Sequence, residues 1–76
     1  MAKDDVAIVL SRDEALVLFD ALTKLNAEGG YVYEIEEVER RQFFALEALL
    51  EKGLDEIFDP LFEELLREAK ERLLSE

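Results

Sequence analysis

Twenty Asp and Glu against nine Lys and Arg give this 76-residue chain a net charge of -11, although half of its residues are hydrophobic. That length suits one domain, residues 1–76, which buries only roughly 60% of its unfolded surface, and a chain with no cysteine and no histidine has neither disulfides nor the usual zinc and non-haem iron sites to brace it. Self-association is the remaining staple for so small a scaffold, while the charge disfavours nucleic acids and anionic membranes as partners and leaves a basic protein open.

The opening segment, MAKDDVAIVLS, is too acidic and its apolar run too short for a secretory leader. No run approaches the roughly 20 apolar residues of a membrane span, so the expectation is a cytoplasmic protein. Within that segment VAIVL, at 6–10, is β-branched at three of five positions and predicts a short strand or extended arm. Ser11 with Glu14 three residues later forms the pattern of a reciprocal capping box, and Asp13 and Glu14 suit the positive end of a helix dipole. A first helix is expected over 12–26, ending before Gly29-Gly30.

Residues 31–35, YVYEI, read either as a second short strand pairing with 6–10, the reading we favour, or as the lead-in to a second helix. That helix is expected over 36–54, with Gly53 near its end and Lys52 in its last turn. A connection, DEIFD, follows. Asp59-Pro60 then predicts a third helix over 60–74, with Asp as cap and Pro in the first turn. The expected fold class is therefore α+β and mainly α: three helices with one or two short strands.

The helical faces carry the functional expectation. The third helix is amphipathic, with Leu61, Phe62, Leu65, Leu66, Ala69 and Leu73 on one side, and one buried face accounts for it. The first is apolar over far more of its circumference. Ala15, Leu18, Phe19, Leu22 and Leu25 form one face, Val17 and Ala21 a second flank, and Leu16 lies opposite them. Such a helix is normally surrounded by protein. On the second helix Val38, Phe43, Ala45, Leu46, Leu49, Leu50 and Leu54 span about half the circumference, while Phe44 projects away from them, close to Ala48.

Chemistry is sparsely represented. Ser11 is explained as a cap and Ser75 lies at a fraying helix end, and without His or Cys no familiar triad can be built. Glu34, Glu36, Glu37 and Glu39 precede Arg40-Arg41, and Glu64, Glu68 and Glu71 fall in one row. The latter are interleaved with Arg67, Lys70 and Arg72 at ion-pair spacing, the pattern of a solvated face. There is no calcium-loop motif, and Gly29-Gly30 lacks a phosphate-loop context. No catalytic residue, metal ligand or cofactor is expected.

In being helical, acidic and short the chain resembles acyl carrier proteins, whose function resides in an Asp-Ser-Leu at the start of the second helix, where phosphopantetheine attaches. The corresponding region here, YVYEIEEVERR, has no serine, so the resemblance stops at composition. The stretch VLSRDEALVLFDAL, followed by a helix with paired aromatics and an acidic last helix, resembles small acidic bacterial hypothetical proteins of unassigned function. That resemblance covers most of the chain and implies a bacterial cytoplasmic origin, but no activity or site.

The resulting expectation is a non-enzymatic module that self-associates, as a dimer, through helices 1 and 2. Its interface residues are Val17, Ala21, Phe43, Phe44 and Phe58. The alternative is an acidic inhibitor or antitoxin-like protein that opposes a basic partner or mimics nucleic acid. Residues 55–76 hold eight acids and three bases, hence -5 of the -11, although the interleaved Arg and Lys weaken mimicry.

Overall fold

Ser11 starts the first helix as its sequence pattern requires. The Glu14 N–H donates to Ser11 Oγ at 3.1 Å, and the Ser11 N–H donates to Glu14 Oε1 at 2.8 Å, so two of the orphan donors of a helix start are satisfied reciprocally. Helix α1 then spans Arg12–Ala27. The computed structural model describes residues 4–27 and 35–76, and the next described helix, α2, spans Glu37–Gly53. Its start repeats the device in part: the Glu36 N–H donates to Glu39 Oε1 at 2.7 Å.

After Leu54 the connection DEIFD is itself ordered, as a 3₁₀ helix over Asp55–Phe58. Helix α3 follows over Phe62–Leu74, two residues later than Asp59-Pro60 predicts. The reason is local. Phe62 N–H donates to Asp59 O at 3.0 Å and Leu61 N–H to Asp59 Oδ1 at 2.8 Å. Asp59 through Phe62 thus closes a β-turn with Pro at its second position. Only then does Leu61 O accept the first helical bond, from Leu65 N–H.

The expected strands are a correction to make. Among the described residues there is no strand, and the architecture is three α-helices with one 3₁₀ helix. Residues 6–10 carry no regular secondary structure and join no ladder. β-Branching favours an extended backbone, yet a strand needs a hydrogen-bonded neighbour, and propensity alone does not supply one. The proposed partner, 31–35, falls outside the described residues except for Ile35, which is not in a strand. Among the described residues the class is α, with no sheet.

Helix α1 is the middle of the molecule. Both α2 and α3 pack on it, and the backbones of α2 and α3 approach each other only through α1 and the 3₁₀ helix. Ala15 and Leu16 of α1, Leu54 after α2, and Leu66 and Ala69 of α3 form one buried cluster, flanked by Val17, Phe19, Leu50, Ile57 and Phe62. Leu22, farther along α1, is buried too. This position accounts for the wide apolar circumference of α1: a helix with a neighbour on each side buries more than one stripe. Leu16, on the flank opposite Val17 and Ala21, is among the most buried residues of the chain.

Candidate association surface

Polar contacts hold α1 to its neighbours in two different ways. Toward α3, Asp13 accepts from Arg72 Nε at 2.8 Å and from Nη2 at 2.9 Å, a bidentate pair. Toward the 3₁₀ helix, Arg12 bonds both carboxylate oxygens of Glu56 and the carbonyl of Gly53. These bonds hold the Asp13 and Glu56 carboxyls below their ordinary pKa values, Asp13 through Arg72 and Glu56 through Arg12. Toward α2 the link is a cluster around Glu47, which accepts from Thr23 Oγ1 at 3.1 Å and from Asn26 Nδ2. Asn26 Nδ2 also reaches the Phe43 carbonyl at 3.4 Å.

The hydroxyls of the described residues are therefore committed to structure. Ser11 caps α1, Thr23 bonds Glu47 and the Phe19 carbonyl, and Ser75 Oγ donates to Glu71 O at 2.9 Å. The acids of α3 surround Arg67, which pairs with Glu64 at 2.8 Å and Glu71 at 2.6 Å, and the Glu64 hydrogen bond foremost raises the guanidinium pKa. Among the described residues no three His, Cys, Asp or Glu side chains gather as a metal-binding group. No described helix is long and apolar enough to cross a membrane.

What the surface does present is apolar. Val6, Ile8 and Val9 of the N-terminal arm are 87%, 78% and 95% exposed, and Leu49 on α2 is 64% exposed. Val6, Ile8 and Leu10 form one wall of an open groove of about 460 Å³; Leu18 of α1 with Leu46 and Leu49 of α2 forms the other. Every lining side chain is hydrocarbon. Helix α2 itself contributes no fully buried residue, so its apolar side is divided. Phe43 and Leu50 are half-buried toward the body of the protein, while Val38, Ala45, Leu46 and Leu49 remain exposed along its outer flank.

The residues expected from sequence at an interface are dispersed over this structure. Val17 is half-buried and packs against the central cluster. Ala21 is exposed on α1, and Phe43 is half-buried. Phe44 is exposed on a different side of α2 from Leu46 and Leu49, about 160° around the helix from Leu46 at 100° per residue. Phe58 is 76% exposed, in a shallow hollow with Ala48, Glu51, Lys52 and Asp55. The residues sequence reasoning passed over are those of the arm, together with Leu46 and Leu49. The arm's β-branched run fits a strand or an extended arm equally, and the two leucines share a helical face with truly inward residues, so periodicity alone does not separate them. The signal available was the breadth of that face, which is wider than one neighbouring helix covers.

Comparison with protein-family models, with curated proteins and with solved structures finds no match.

Proposed function

We propose that this chain is a non-enzymatic protein–protein interaction module that self-associates, with a dimer as the working unit. The observation that carries the reading is the exposed apolar arm beside the exposed apolar flank of α2, with few buried residues among those described. Contiguous apolar surface of this kind marks interaction sites. Covering several such side chains is worth several kcal/mol at about 25 cal/mol per Å² before association entropy is subtracted. The acidic-inhibitor alternative has less support, because the α3 carboxylates share their surface with Arg67 and Arg72, both of which are ion-paired.

Sedimentation velocity across a dilution series tests the reading. The expected result is a mass that rises from one chain toward two between about 1 and 100 μM, the range of a modest interface. A single-chain mass throughout the series removes it.

A further inference from the structure

We propose that the occupant of the arm–α2 groove is a second copy of this chain, docked through the outer flank of α2 and the N-terminal arm. The inference rests on the self-association reading and assigns that association to one surface.

Charge selects the surface. Two copies at -11 each repel, so they can approach closely only where carboxylates are absent. Helix α3 exposes Glu63, Glu64, Glu68 and Glu71. The hollow at Phe58 is bordered by Glu51 and Asp55. On α2, by contrast, the only acid between Glu39 and Glu51 is Glu47, and its carboxylate is turned inward onto Thr23 and Asn26. The outer flank between Arg41 and Lys52 therefore presents Gln42, Ala45, Leu46 and Leu49, with Arg41, paired to Glu37 at 3.9 Å, at one end and Lys52 at the other. The arm that lies beside it is hydrocarbon from Val6 to Leu10 and acidic only at its far end, at Asp4 and Asp5.

Extent points the same way. The arm with Leu46 and Leu49 exposes an area of the order of the roughly 800 Å² per partner that a standard interface buries. A two-fold arrangement uses this one patch twice and closes the assembly at two copies. The occupant also has to satisfy the arm, whose residues 6–10 are all exposed. A partner that covers only the groove, whose lining excludes Val9, leaves that side chain, 95% exposed, in water.

Sedimentation of the full chain at 20 mM and 500 mM NaCl, on the wild type and on Leu49→Glu, Ile8→Asp and Phe58→Ser, tests the proposal. The wild-type dissociation constant is expected to fall severalfold at the higher salt, because screening weakens repulsion between two acidic copies. Leu49→Glu and Ile8→Asp are each expected to raise it more than tenfold with the helical circular dichroism unchanged, whereas Phe58→Ser leaves it within about twofold. A dimer that survives both Leu49→Glu and Ile8→Asp, or that dissolves in Phe58→Ser, overturns the surface while self-association stands. A wild type that is monomeric at both salts overturns self-association as well. If that monomer binds a synthetic Lys–Leu amphipathic helix, with affinity falling as salt rises and lost in Leu49→Glu, the groove belongs to a foreign basic helix instead.

Discussion

The two sides of α1 are built differently. On the α3 side, Leu66 and the fully enclosed Ala69 meet Ala15 and Leu16, and charged pairs at Asp13 and Asp20 border the contact. On the α2 side no residue of α2 is fully buried, and a polar cluster around Glu47 holds the helices together. The first contact is a miniature core and the second is closer to an interface between subunits. The lesson is that the helix giving least to its own interior is the one left with apolar surface for something else.

Substitutions that treat the two sides separately sharpen this contrast. Leu66→Ala opens the buried cluster and is expected to cost about 2–5 kcal/mol, the range for a buried leucine. Leu50→Ala, on the partly wet side, is expected to cost about 1–2 kcal/mol. Urea midpoints measure both, and equal losses would erase the distinction. Smaller in effect, Glu47→Ala removes the acceptor shared by Thr23 and Asn26 and is expected to cost about 1–2 kcal/mol. Amide exchange reads where that loss falls: protection should drop in α2 and hold in α3.

Acid should act on the other side, and most mildly. Asp13 and Glu56 have folded pKa values below their ordinary 3.8 and 4.5, each because an arginine hydrogen-bonds the charged form. Groups depressed in the folded state bind protons more readily when unfolded. Their contribution is therefore complete above the ordinary carboxylate range and is lost as pH falls through the folded values. Stability should decline on acidification below about pH 4.5, where unfolded carboxylates begin to protonate. The gap between wild type and an Asp13→Asn, Glu56→Gln double variant should narrow there. A gap that is the same at pH 7 and pH 3 would show that neither pair contributes.

Local chemistry made much of this architecture legible. The box at Ser11 and Glu14 closes as its spacing implies, and α1 and α2 lie within a residue or so of their expected limits. Asp59-Pro60 placed the third helix two residues too early, because the same residues that begin a helix also begin a turn. Residues 6–10 were harder. A β-branched run specifies extension, while a strand depends on what lies alongside, which is information held elsewhere in the chain. The surface was hardest of all. Leu16 and Leu49 are the same residue type on apolar flanks of neighbouring helices, yet one is enclosed and the other open to water. The difference comes from the order of stacking, α2 then α1 then α3, which no single helix records. Periodicity identifies how wide an apolar face is, but not which part of it a neighbour will cover.

The middle position of α1 also determines how a disturbance can travel. Since α2 and α3 have no direct backbone approach, a tilt of α2 has two backbone routes to the acidic face of α3, besides the Leu50 side chain on the shared cluster: a shift of α1, or a strain on the short span from Leu54 to Phe58. Both routes converge on Arg12, which sits in the first turn of α1 and grips Gly53 and Glu56 together. That guanidinium is the pivot of a lever whose two arms never meet.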